Sequence, residues 1–193
     1  DVGATYTLVE ETSPHGYTVA ESIEFVLNDD GTITGTDGET TITMKDAQTE
    51  ITFSKQSITD SAELPGATLT IYDSEGNIAK DTDGNDLTWV SGETAHVITG
   101  QLDVGATYTL VEETSPHGYT VAESIEFMLN DDGTITGTDG ETTVTMKDAQ
   151  TEITFSKQSI TDSAELPGAT LTIYDSEGNI AKDADGNDLT WVS

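Results

Sequence analysis

The sequence has no cysteine, so disulfides and thiolate metal sites are excluded. It has no arginine either. Its six basic residues are all lysine, against 37 acidic ones, for a net charge of −31. That balance argues against nucleic acid and anionic membrane as partners. No apolar run approaches membrane-spanning length, so no membrane insertion is expected. A glycine-rich phosphate loop, an HExxH pair and a Ser-His-Asp spacing are all missing, so neither a cofactor nor a turnover enzyme is expected. The chain does not begin with Met and starts inside a strand pattern, which reads as a window of a longer array.

What is present is a repeat. Residues 1–91 recur at 103–193, an offset of 102, with only Val26/Met128, Ile42/Val144 and Thr82/Ala184 differing. A period of that size is a small domain, not a solenoid unit. Placing the boundary at Ala47-Gln48-Thr49 makes 1–48 the C-terminal half of a repeat, 49–149 a complete repeat and 150–193 the N-terminal half of the next. Within 49–149, alternating Val, Ile, Thr and Tyr segments predict strands at 50–56, 67–73, 87–90, 94–99, 106–113, 121–129 and 142–148. Pro65-Gly66 and Asn130-Asp131-Asp132-Gly133 are turn signals. About seven short strands without helical period predict an all-β sandwich.

The junction stretch TITMKDAQTEITFSK, 41–55, reads as two strands joined by a hinge. Every second side chain of a strand faces one way. Ile42 and Met44 therefore share a face with Asp46, and Ile51 and Phe53 share one with Lys55. The same parity turns Glu112 inward behind Tyr108 and Leu110, and Asp148 behind Val144 and Met146; Glu113 and Lys147 face solvent. Burial disfavours the charged form of each inward group. A neutral lysine is a nucleophile, and a protonated Asp is its electrophile. A protonated Glu is an acid–base shuttle. Lys55, Asp148 and Glu112 are thus equipped for amide condensation with loss of water. A buried salt-bridged cluster is the competing reading.

YTLVEETSPHGY at 108–119 resembles the YxLxET box of the collagen-adhesin B-type (CnaB) domains, the SpaA-like prealbumin-like domains of Gram-positive surface proteins. ITFSK at 51–55 and LPGATLTIYD at 64–73 resemble that family's opening strands, and VTMKD at 144–148 its last. Glu113 also follows the motif, but motif and parity both select Glu112. The resemblance implies tandem reverse-immunoglobulin-like (prealbumin-like) β-sandwiches with parallel first and last strands. It also implies a self-formed isopeptide bond in each repeat, here Lys55 to Asp148 with Glu112 catalytic. Across the two half-repeats the corresponding set is Lys157, Asp46 and Glu10. The role implied is a stalk or fibre module on a Gram-positive cell surface. Its partners are neighbouring repeats or copies of the chain joined head to tail. A ligand-binding adhesin repeat is the alternative.

Three weaker signals remain. Asp81, Asp83 and Asn85 form part of a calcium-loop pattern, but Gly92 stands where the bidentate Glu belongs, so a plain acidic turn is expected. His15, His96 and His117 are read as loop or surface residues, and Trp89 as packing in or near the core. The uncross-linked backbone at Ala47 to Glu50 is the expected point of flexing and proteolysis.

Overall fold

The structure, a computed structural model, describes residues 1–35, 40–138, 140–183 and 185–193. The described residues form strands and no helix. The strands are β1 (Thr5–Leu8), β2 (Ile23–Leu27), β3 (Ile33–Thr34), β4 (Glu50–Ser57), β5 (Thr68–Asp73), β6 (Thr88–Val90) and β7 (His96–Thr99). They continue with β8 (Thr107–Thr114), β9 (Ile125–Leu129), β10 (Ile135–Thr136), β11 (Thr143–Asp148), β12 (Thr170–Thr172) and β13 (Thr190–Val192).

Strands β4 to β11 build two sheets. One is five-stranded, in the order β10-β9-β8-β5-β6, and antiparallel throughout. The other is three-stranded, β11-β4-β7, and in it β11 runs parallel to β4. The inward residues of both sheets form one core. Ile51, Phe53, Ile98, Val144 and Met146 come from one, and Leu69, Ile71, Leu110, Phe127 and Leu129 from the other. This is the all-β sandwich that alternation predicts. Phe53 anchors it, with its ring 5.3 Å from Trp89 and 5.8 Å from Phe127. Trp89 thus packs against the core from its margin, as expected from sequence.

Two segments depart from the alternation pattern. The strand expected over 121–129 begins only at Ile125, because the Ala122 amide bonds to a side chain, Glu112, instead of a neighbouring strand. Past the Asn130–Gly133 turn, the chain returns as β10, two residues that the pattern did not single out. Gly133 closes that turn with φ +84°, and its N–H donates to the Asn130 carbonyl at 2.9 Å.

The flanking halves show what the partner strand contributes. β1, β2 and β3 form a three-stranded sheet, and β12 pairs with β13. Residues 41–46, expected as a strand, make no ladder, although their copy at 143–148 is β11. Likewise 152–157 is unpaired, while its copy at 50–55 lies in β4. These are the two strands that pair with each other in the central repeat. Separated from its parallel partner, neither sequence stays a strand, because strand propensity is mostly packing against neighbours.

The copies yield a direct stability test. Phe53 is 1% exposed and Phe155, the same site, 50% exposed. Phe53→Ala should cost about 3–5 kcal/mol in urea unfolding of the central repeat. Phe155→Ala should cost less than about 1 kcal/mol.

Candidate functional site

The residues that alternation turns inward meet between the two sheets. β4 and β11 pair so that Lys55 lies beside Met146 and Ser57 beside Asp148. Lys55 and Asp148 therefore occupy the same face, one diagonal step apart. Glu112 comes from β8 in the opposite sheet, opposite Leu69. Between that pair and the next, Thr68 with Thr114, Glu113 is an extra residue that bulges the strand. The bulge leaves Glu112 buried and Glu113 exposed, where it accepts the Tyr72 hydroxyl at 2.8 Å.

The Lys55 side chain is 1% exposed and those of Glu112 and Asp148 are fully enclosed. Lys55 Nζ donates to Asp148 Oδ1 and lies 2.9 Å from Glu112 Oε1, the latter outside hydrogen-bonding angles. Glu112 is aimed by its other oxygen, which accepts the Ala122 amide at 2.6 Å. Asp148 Oδ2 is buried without a hydrogen-bond partner among the described residues. Burial raises the Asp148 carboxyl above its ordinary range. The Lys55 ammonium opposes the shift, and Glu112 adds to it. An amine and a proton-retaining carboxyl in contact, with a second carboxyl beside the amine, can exchange protons and condense.

Two supports had no signal in the sequence. The Ala122 N–H is backbone, so residue identity does not reveal it. Glu63 secures the strand edge: its carboxylate takes the Lys55 amide at 3.1 Å and the Ser54 hydroxyl. Its only cue would have been the bridge between Gln56 and Glu63, which depends on the loop path.

In the N-terminal half, Glu10 repeats the Glu112 arrangement, accepting the Ala20 amide at 2.6 Å. Asp46 sits beside it; its carboxyl is raised, by burial first and then by the Glu10 charge. Lys157 is exposed and forms no ion pair with either among the described residues. One half thus carries two of the three groups, and the other half carries the lysine.

His96 is a surface residue of β7, stacked on Trp89 at 4.6 Å, and partial burial lowers its imidazole pKa. His15 Nδ1 is 2.5 Å from Asp103 Oδ1. Asp81 spends its carboxylate on its own turn, accepting the Asp83 and Asn85 amides at 2.9 and 2.8 Å and Asn85 Nδ2 at 2.9 Å. These bonds to Asn85 hold its pKa low. No group of three or more metal-ligating side chains converges among the described residues.

A two-sheet unit with parallel terminal strands and a buried Lys–Asp–Glu set between them defines a prealbumin-like domain. Residues 49–144 match the family model of the SpaA prealbumin-like fold domain, so the central repeat is a SpaA-like prealbumin-like domain. Among solved structures, it is similar to a C-terminal fragment of the pilus adhesin SpaC from Lactobacillus rhamnosus GG. The identity there is 19%, with 79% of each chain covered and a TM-score of 0.42. It is also similar to the shaft pilin SpaA of that organism, at 20% identity and TM-score 0.43. That match covers 78% of this chain and 64% of the pilin, so the chain spans less than two thirds of the pilin's length. The C-terminal domain of that pilin matches at 21% identity and TM-score 0.40, covering 53% of this chain and 98% of the domain. Among curated proteins, none matches the sequence.

For the Asp81 turn, Asp81→Ala should destabilise the central repeat by about 1 kcal/mol, the scale of its lost hydrogen bonds. Calcium added to the unaltered chain should leave the melting temperature unchanged, since a cation would have to displace those N–H donors; a calcium-dependent rise would reveal a site.

Proposed function

We propose that the chain is a structural stalk or fibre module of a Gram-positive cell-surface protein, each repeat stapled by an isopeptide bond. The observation that carries this reading is the enclosed contact of Lys55 with both Asp148 and Glu112. Condensation begins when the Lys55 ammonium yields a proton within the cluster, leaving a neutral amine and a protonated Asp148. Nζ attacks Asp148 Cγ, forming the C–N bond. Glu112 takes the second amine proton and delivers it to the departing hydroxyl, so the C–O bond breaks and one water leaves. The sum is ammonium plus carboxylate to amide plus water, with no oxidant and no cofactor. The reaction runs once, in cis, so the protein is not a turnover enzyme.

The bond would close a long loop of the unfolded chain. By analogy with disulfides, that constraint is worth about 4–5 kcal/mol. The mechanical effect is larger. Tension entering along β4 would cross from Lys55 to Asp148 and leave along β11's end, bypassing everything between. Replacing the charges by an amide also removes the unfavourable burial of the ion cluster.

The half-repeats support a second level of assembly. Tyr6 and Leu8 in one half, and Ile153, Phe155 and Leu166 in the other, are exposed, while their copies Tyr108, Leu110, Ile51, Phe53 and Leu64 are core. A front half and a back half are therefore complementary surfaces. In a continuous array the same chain supplies both. On separate chains, Lys157 of one would meet Asp46 and Glu10 of the next, a heterologous contact that propagates into a fibre.

Intact mass under denaturing conditions tests the staple. The folded chain should weigh one water less than its sequence, and Glu112→Ala should restore full mass while keeping the β-fold. Asp148→Asn should condense with loss of ammonia and arrive at the same product mass as the unaltered chain. Full mass in the unaltered chain would sink the reading. For assembly, a denaturing gel of concentrated chain should show a covalent ladder that Lys157→Ala abolishes; a lone monomer band rules assembly between chains out.

A further inference from the structure

The same junction sequence occurs twice, and only one copy is packed. At the first junction Gly16 and Thr49 are buried; at the second, Gly118 and Thr151 are exposed. The local bonds are common to both. The Thr49 amide donates to the Gly16 carbonyl at 2.9 Å, and the Thr151 amide to that of Gly118 at 2.8 Å. The Thr18 and Thr120 amides donate to the Ala47 and Ala149 carbonyls, each at 2.9 Å.

The difference lies in what the first loop meets. The hydroxyl bond to the glycine carbonyl is common to both, 3.2 Å from Thr49 and 3.0 Å from Thr151, but the Thr49 hydroxyl also reaches the Leu102 carbonyl at 3.3 Å. The Val19 amide donates across the junction to the Asp131 carbonyl at 2.8 Å. Gly16 approaches Gly100 so closely that a Cβ on it would stand 2.2 Å from the Gly100 oxygen, whereas a Cβ on Gly118 would meet nothing within 4 Å. The contact forms against charge. Glu10 and Glu11 line one groove with Asp103 and Asp131, and His15 pairs with Asp103 beside it. Backbone bonds and close packing must therefore outweigh a repulsion that salt screens.

We propose that each repeat is a socket for the repeat before it. The 100–104 connection and the 131–133 turn seat the 13–19 loop of the preceding copy. Successive repeats are then held at one orientation, and the array is a stiff rod instead of beads on a hinge. The partner that fits this surface is another copy of the repeat, and glycine at 16 is what lets the backbones touch. Within the junction at 47–50, expected from sequence to flex, Thr49 is held from both sides and 2% exposed, while Ala47, Gln48 and Glu50 are exposed.

Amide hydrogen exchange on the 193-residue chain tests this, because Val121, the copy of Val19, is an internal control. Val19 should exchange at least about tenfold more slowly than Val121. Gly16→Ala should erase the difference. Gly118→Ala places the same side chain at the same left-handed φ but with open space, and should leave it intact. Spin labels at Glu24→Cys and Glu126→Cys, in a chain otherwise free of cysteine, should give one narrow distance that Gly16→Ala broadens. Equal exchange at Val19 and Val121, loss of Val19 protection with Gly118→Ala, or a broad distance in the unaltered chain would each overturn the socket.

Discussion

A lysine ammonium enclosed between two β-sheets is the constraint on which the central repeat depends. Lys55 stands on a face otherwise made of Ile51 and Phe53, where an unpaired charge is strongly unfavourable. Two carboxylates answer it, Asp148 on the parallel neighbour β11 and Glu112 on the opposite sheet. Satisfying the lysine therefore requires the first and last strands to pair and the second sheet to close over them. Left as ions, the three groups stabilise little, since desolvation cancels most of their attraction. That balance gives condensation its physical rationale: an amide needs far less solvation than the ions it replaces.

The repeated sequence separates what is local from what is tertiary. Among the described residues, turns recur between copies. The Asp175 turn bonds Asn179 as the Asp73 turn bonds Asn77, both amides at 2.9 Å. A strand pairing survives too, with β12 and β13 paired as β5 and β6 are. What is lost in the flanking halves is the parallel pair and the core it covers. Identical residues become strand or coil, buried or exposed, according to whether the complementary half is present. This conditional folding underlies both proposed assemblies, the staple inside a repeat and the complementation between halves.

How much was legible in the sequence follows the same division. Parity turned Lys55, Glu112 and Asp148 inward, because a period of two is a geometric property of strands; that the three belong to one cross-linking set was what the family resemblance implied. Parity also separated Glu112 from Glu113, though the bulge that enforces the separation was invisible. Strand positions followed alternation and erred at ends, as at Ile125, where the Ala122 backbone serves Glu112 instead of the sheet. The Glu63 clamp, the two-residue β10 and the packed junction were not legible. Each rests on backbone groups or on loops brought together from distant parts of the chain, which side-chain patterning does not encode. The expectation of flexing at 47–50 was drawn without the Gly16–Gly100 approach for that reason.

The central claim is that Lys55 and Asp148 are joined covalently. Proteolytic digestion of the folded chain followed by peptide sequencing in the mass spectrometer tests it at the level of the bond. The account predicts one branched peptide, the Lys55 segment linked through its side chain to the Asp148 segment, one water lighter than the two together. Recovery of both segments only as linear peptides of full mass would contradict it.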